Sequence, residues 1–308
     1  MKSIIPAIDK AIIESELNEN TFVRNTNKGN NKIYIINNHN SPNVMMEIGR
    51  LREVTFRASG GGTGEAFDID EYDTSEHSYD QLIVYSPEDS EIIGGYRFIK
   101  GAKAIDKVNH SIHLSTTHYF NFSDKFINEY LPYTIELGRS WVQPNFQPAI
   151  NPRKGLFALD NIWDGLGALI VDNPDIKYFF GKVTMYTHFN QEARDMILHF
   201  LLKYFPDDEH LLTPFHPLPI ITDMKSFDAM ISGLDYKDAF KILNQSVRNL
   251  GENIPPLMNI YMNLSPTMKS FGTAANPHFG DVEETGIIIK INDIYDEKKV
   301  RHIQSYKK

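Results

Sequence analysis

The 308-residue chain contains no cysteine. That absence excludes disulfides, thiolate metal ligands and a cysteine nucleophile together. Long apolar runs are missing as well. Stretches such as GALIV at 167–171 fall far short of the roughly 20 residues that cross a bilayer. The first residues, MKSIIPAIDKAIIESE, carry acidic groups and no uninterrupted apolar core, so neither a signal peptide nor a transit peptide is expected. A cytoplasmic location follows as the expectation. Positive charge is also short: the net charge is −9. Phosphate backbones need a concentrated basic face, so no nucleic-acid partner is expected.

Phosphate-loop chemistry is missing from the one place that suggests it. Residues 57–73 read RASGGGTGEAFDIDEYD. A P-loop needs a preceding strand, a Lys-Ser/Thr pair and a following helix, and a dinucleotide fingerprint needs GxGxxG after a strand. Here the glycines follow a helical pattern and run into acid, which would repel a phosphate. The acidic run fails as a calcium loop too, because the sixth position from Asp68 is Asp73 rather than glycine. No metal site is expected. Two readings remain: a flexible surface loop, or a hinge-like mobile lid leading into the acidic segment Asp68–Asp73.

What is present is a mixed α/β pattern. An amphipathic helix is predicted over 1–16 and a short strand over 32–36. The spacing of Ile48, Leu51 and Thr55 predicts a helix over 44–57, with Arg52 and Phe56 sharing a face at i, i+4. Strands are predicted at 81–86 and 91–100 as a hairpin, then at 133–142, 178–187 and 285–293. Helices are predicted at 155–171, at 191–205 behind an Asn190 cap, and near 236–250. The order gives a hairpin start and a parallel centre. No long linker divides the chain. One domain is expected over 44–308 (core 44–205, elaboration 206–308), with residues 1–43 as an extension packed on it.

Arg52, Arg97 and Arg139 each stand among apolar neighbours, where a buried guanidinium requires a carboxylate. Asp70, Asp73 and Glu136 are the candidates, and structural ion pairs account for them as readily as substrate binding. In YTIELGRSWV, Glu136 and Arg139 are three apart and would face opposite sides of a regular strand. A bulge at Gly138 would bring them onto one face and free a backbone N–H. Such an N–H can hold an oxyanion, and a nearby carboxylate can take an amine proton.

These motifs in this order resemble a known family. Arg52 and Phe56 (RxxxF), Asp70, Tyr72 and Asp73 (DEYD), Gly94 and Arg97 (GGYR), and Glu136, Gly138 and Arg139 (ELGR) look like the ornithine-lipid and glycine-lipid synthesising, "hemolysin-like" N-acyltransferases of the GNAT superfamily. The likeness to acyl-homoserine-lactone synthases is more distant. The motifs cover about 45–142, and IPPLMNIYMNL with FGTAANPHFG (254–280) resembles the lipid-synthesising group further on. One departure is Gln81, where those enzymes commonly carry histidine.

The resemblance implies a GNAT-like mixed sheet flanked by helices. It implies transfer of a fatty, 3-hydroxylated acyl group from acyl carrier protein to the α-amine of an amino acid such as glycine or ornithine, the first step of aminolipid synthesis. No permanently bound cofactor is implied, only a phosphopantetheine-linked donor. The pyrophosphate motif Q/R-x-x-G-x-G/A is not evident, which suits a carrier-protein donor over CoA. Glu136 would be the base, Gly138 and Arg139 would complete the catalytic group, and Arg52, Phe56, Asp70, Asp73 and Arg97 would form the acceptor site. Arg153, Lys154 and Gly155, read as a helix start, would hold the arm's phosphate. Lys103, with Lys100 and Lys107, would dock the carrier. Loose contact with the inner membrane surface fits a lipid product. The alternatives are a CoA-dependent acetyltransferase on a small amine and a non-catalytic lipid or amino-acid binding module.

Overall fold

A computed structural model describes residues 1–106 and 111–307; Lys107 and Lys308 lie outside the described residues. The sequence's alternating apolar stretches form an eight-stranded sheet. Its strands are β1 (Phe22–Asn25), β2 (Lys32–Ile36), β3 (Asp80–Ser86), β4 (Glu91–Lys100), β5 (Thr134–Val142), β6 (Tyr178–Tyr186), β7 (Lys269–Asn276) and β8 (Val282–Lys290), and their spatial order is β1-β2-β3-β4-β5-β6-β8-β7. Every neighbouring pair is antiparallel except β5 and β6. The hairpin start and the parallel centre are both present. The first 43 residues contribute β1 and β2 to the sheet itself.

One face of the sheet is covered by α3 (Ala158–Asp172), α4 (Gln191–Tyr204) and α6 (Tyr236–Asn249), which close a core around Leu82, Phe98, Leu166, Phe200 and Leu243. The helix α5 (Lys225–Ile231) and the helix α7 (Pro256–Met262) join that layer. On the other face α2 (Pro42–Ala58) packs Val44, Met45, Ile48 and Leu51 onto Ile36 and Ile83. An aromatic cluster with Tyr72, Tyr79, Phe120, Phe126, Phe180 and Phe271 fills the rest of that face.

Several expected boundaries shift for local reasons. The helix expected over 1–16 forms only as α1 (Lys10–Glu16), where Asp9 Oδ1 accepts from the Ala11 N–H at 2.8 Å. Before it, Pro6 interrupts, and the chain instead pairs with the glycine loop: Lys2 N–H donates to Gly64 O and Ile5 N–H to Ala66 O. The helix expected from 155 begins at Ala158 after a separate turn at Pro152–Gly155. Gly155 is buried, and a Cβ there would lie 2.4 Å from Pro148 N. It is therefore a packing glycine rather than a helix start that could receive a phosphate.

The glycine loop is tied down. The Glu53 carboxylate is fully buried and accepts from Thr63 N–H (3.0 Å), Thr63 Oγ1 (2.8 Å), Gly64 N–H (2.8 Å) and Arg57 Nε (2.6 Å). A free hinge would lack such an anchor. Glu53→Ala strands these donors and should cost about 2–4 kcal/mol, read as a lower urea midpoint with an unchanged denaturant slope.

Candidate active site

The site originates in a short parallel pairing. β5 and β6 are hydrogen-bonded only from Thr134↔Tyr178 to Leu137↔Gly181. Gly181 permits the last contact, because a Cβ there would meet Leu137 O at 2.4 Å. Beyond it the strands part. β6 stays paired to β8 along its whole length and β5 stays paired to β4, so the gap between them is held open from both sides. A cavity of about 660 Å³ fills it. Leu137, Trp141, Val142, Phe146, Leu159 and Leu257 are among its apolar walls. Its polar lining includes Ser115, Gly138, Arg139, Lys182, Thr184 and Glu284.

The expected bulge exists, one residue later than predicted. Tyr96 of β4 faces both Arg139 and Ser140 of β5, because Gly95 pairs with Trp141 and Arg97 with Gly138. Arg139, not Gly138, takes the left-handed conformation, with φ of 46°. A non-glycine residue there stores a little strain, the kind that packing must hold in place. From Gly138 onward the β5 edge that faces β6 has no strand partner among the described pairings.

Beneath the cavity lies a buried charge network. Arg52 Nε donates to Asp68 Oδ2 (2.9 Å), and its Nη1 donates to both oxygens of Asp73 (3.2 Å each). Arg97 Nη1 donates to both oxygens of Asp70 (2.7 Å each) and approaches Asp73 (3.4 Å). Arg139 Nη2 donates to Asp68 Oδ1 at 3.1 Å. Gln81, the departure from the family pattern, donates to Asp73 Oδ1 at 2.9 Å. The segment Asp70–Thr74 is a single capped turn: Asp70 Oδ1 accepts from Tyr72 N–H and Asp73 Oδ2 from Asp70 N–H. Arg139 lies over the Phe279 ring at 4.3 Å, and Arg97 lies near the rings of Tyr72 and Tyr79. The three arginines are therefore balanced by three aspartates, one of which, Asp68, was not among the expected partners.

Glu136 is not one of those partners. It is fully buried and accepts from Ser115 Oγ (2.7 Å) and Thr116 Oγ1 (3.2 Å). Burial raises its pKa, and the hydroxyl bonds and the Arg97 charge only partly offset this. It and Arg139 have separate partners rather than one shared face. Among the expected site residues, Phe56, Arg97, Gly138, Arg139 and Gly155 line the cavity. Arg52, Asp70, Asp73 and Glu136 stand behind the lining. Arg153 and Lys154 are exposed, and Lys154 pairs with Asp89. Lys103 is exposed on the turn Gly101–Ala104, beyond Lys100, which pairs with Ile135 at the closed end of the gap.

Ser115, which holds Glu136, was not anticipated in the lining, and neither were two charged residues, Lys182 on β6 and Glu284 on β8, which form an ion pair. A lysine in the otherwise apolar run YFFGKVTMY was a visible signal, as a strand covered on both faces does not ordinarily carry an unpaired charge.

The chain is similar to several known proteins. Residues 51–151 match the family model described as an acetyltransferase (GNAT) domain. The fold is GNAT-like, and the protein is an acyltransferase. A protein named glycine N(alpha)-acyltransferase from Phocaeicola vulgatus is 55% identical over 312 residues, spanning 100% of this chain and 94% of its own. Another of that name, from Bacteroides thetaiotaomicron, is 55% identical over 307 residues, spanning 99% and 91%. The chain belongs to this family of N-acyltransferases. Among solved structures, a CoA-dependent acyl-homoserine lactone synthase with SAM and isopentyl-CoA aligns over 87% of this chain and 88% of its own, with 12% identity and a TM-score of 0.36.

The network makes a pH prediction. Burial pushes the Asp70 carboxyl up, but Arg97, Arg139 and Arg52 outweigh it and hold the group down at about 2, against 3.8 ordinarily. A depressed carboxylate contributes stability above its unfolded value and loses it as pH falls toward its folded one. Asp70 should therefore contribute on the order of 2 kcal/mol that disappears between about pH 4 and pH 2. Asp70→Asn should be less stable at neutral pH and show a shallower loss across that acid window in denaturation series.

Proposed function

We propose that this protein transfers a fatty acyl group, 3-hydroxylated near its thioester end, from acyl carrier protein to the α-amine of glycine, the first step toward an aminolipid. The observation that carries this reading is the apolar cavity between the parted strands. At about 660 Å³ it lies within the 300–1,000 Å³ range of drug-sized ligand pockets. An acetyl group would leave most of it unfilled. The acceptor follows the name shared by the two relatives.

The reaction needs a neutral amine, since an ammonium has no lone pair to attack with. Ser115 lines the cavity and its hydroxyl donates to Glu136. The amine passes its proton to Ser115 Oγ as the Ser115 proton moves to Glu136. The raised pKa of Glu136 makes it a stronger base than an exposed carboxylate. The amine nitrogen bonds to the thioester carbon, and the oxyanion is met by the unpaired β5 edge at Gly138–Arg139. As the carbon–sulfur bond breaks, Glu136 returns its proton to the departing thiolate and, ionised again, takes through Ser115 the second proton that the nitrogen sheds on becoming an amide. Arg52, Asp70, Asp73 and Arg97 hold this frame together rather than touch the acceptor.

For the carrier, Arg153 is the basic residue best placed. It adjoins the cavity-lining Gly155 and Leu156, whereas Lys154 is occupied by Asp89 and Lys103 is at the wrong end of β4. Leu156 and Ile150, 65% and 62% exposed, flank the same rim. An apolar rim there suits loose membrane contact while the lipid product leaves. No helix among the described residues is long and apolar enough to cross a membrane.

Free thiol reports the reaction directly, because the protein contributes none of its own. Purified protein with a 3-hydroxyacyl carrier protein should release thiol only when glycine is added, and mass spectrometry should find N-acylglycine. Equal or faster release from acetyl-CoA would select the acetyltransferase reading instead. Glu136→Gln and Ser115→Ala should each lower kcat about 100-fold or more with the thermal midpoint retained. Near-wild-type kcat in both would remove the relay.

A further inference from the structure

We infer that Lys182 and Glu284 form the binding site for the acceptor's zwitterion: Lys182 takes the α-carboxylate and Glu284 the ammonium that is about to react. This rests on the acyl-transfer reading above and names the group that receives its second substrate.

Four charged side chains line the cavity among the described residues: Arg97, Arg139, Lys182 and Glu284. The two arginines are already matched by Asp68, Asp70 and Asp73. Drawing either away to a substrate carboxylate would strip an aspartate of its partner in a buried setting, which is costly. Lys182 and Glu284 belong to different elements. They sit on β6 and β8, on the far side of the gap from the arginine-bearing β4 and β5.

The pair has bonding capacity to spare. An ammonium has three N–H donors. Lys182 Nζ donates one to Glu284 Oε1 and lies over the Tyr119 ring at 4.7 Å. Glu284 Oε1 also accepts from Asn276 Nδ2 (3.0 Å), while Oε2 accepts from Thr184 Oγ1 (2.9 Å). Oε2 can take a further donor. Asn276 and Thr184 thus fix the carboxylate while one of its oxygens stays receptive.

Charge balance favours this occupant. An amino acid brings one positive and one negative charge, and the site offers one of each. The substrate can insert between Lys182 and Glu284 with every charge still partnered, so no net charge is buried. A simple amine would leave Lys182 without its new partner, and a simple carboxylate would leave Glu284 so. Burial drives the Lys182 pKa down against the pull of Glu284. Burial pushes Glu284 up, but Lys182, Asn276 and Thr184 hold it low. Glu284 therefore remains ionised and holds the ammonium without deprotonating it, leaving that step to the Ser115–Glu136 relay.

Two measurements on one set of proteins test this: glycine binding by calorimetry and steady-state transfer from a saturating acyl carrier protein. Lys182→Met alone leaves Glu284 unpaired and could unfold the sheet. The double variant Lys182→Met/Glu284→Gln removes both charges and keeps similar shapes. In the double variant, glycine binding and the glycine KM should weaken at least tenfold, with donor KM and thermal midpoint unchanged. The preference of the wild type for glycine over glycinamide, which lacks the carboxylate, should collapse toward one. Unchanged glycine binding and an unchanged preference would overturn the assignment. Glycine bound by the wild type and lost in the variant, with no thiol released by either, would keep this site and remove the transfer reading.

Discussion

Three arginines and three aspartates that form and underlie the cavity floor are the interaction on which this structure depends. Arg52 comes from α2, Arg97 from β4 and Arg139 from the bulge of β5, and all three meet on a stretch of six residues, Asp68 to Asp73. In a poorly solvated interior each of these charges is tolerable only beside its opposite. That requirement fixes the helix, both strands and the capped turn relative to one another. It also explains how a left-handed arginine survives in the middle of a strand: Asp68 and the Phe279 ring both grip its guanidinium. The network's residues are neighbours in sequence to members of two apolar clusters: Leu51 beside Arg52 belongs to the one under α2, and Tyr72 beside Asp73 to the aromatic one.

On that base, the open gap follows from competition between strands. β5 and β6 are each fully committed to an outer neighbour, and the four-residue parallel ladder between them is too short to close the remainder. The backbone edge left over would be a liability in an ordinary sheet. Here it borders a cavity instead.

Much of the fold was legible in the sequence between residues 44 and 205. There apolar periodicity is strong and turns carry clear stop signals, such as Pro206 after α4. The strands β1 and β7 were not legible. FVRN is too short to show alternation, and KSFGTAAN is small and broken by Gly272 at φ of 85° with a register shift across it. Within the site, the arginines and the need for carboxylates could be read, because a cation among apolar neighbours demands a partner. Their pairing could not. Asp68 displaced Glu136 as a partner because Ser115 and Thr116 reached Glu136 first, and those residues sit in a connection with no periodic pattern. The bulge was legible as an irregularity, but not the residue that bears the strain. The Lys182–Glu284 pair joins positions 102 residues apart, a distance over which local sequence patterns carry no information.

The cavity walls are drawn from across the whole chain: Phe56 and Ser59, then 137–159, then 182–186, then 255–257 and finally Phe279 and Glu284. The stretch that matches the family model, 51–151, supplies only one jaw. Cut out alone, it would lose β6 and with it β8, so the opposite jaw and both members of the lysine–glutamate pair would go. Its β5 would also be left with an edge open along its entire length, a surface prone to pairing with another copy. The recognisable segment is thus not a detachable catalytic unit. Shortening this protein from its C-terminal side should abolish the site well before it reaches any motif by which the family is recognised.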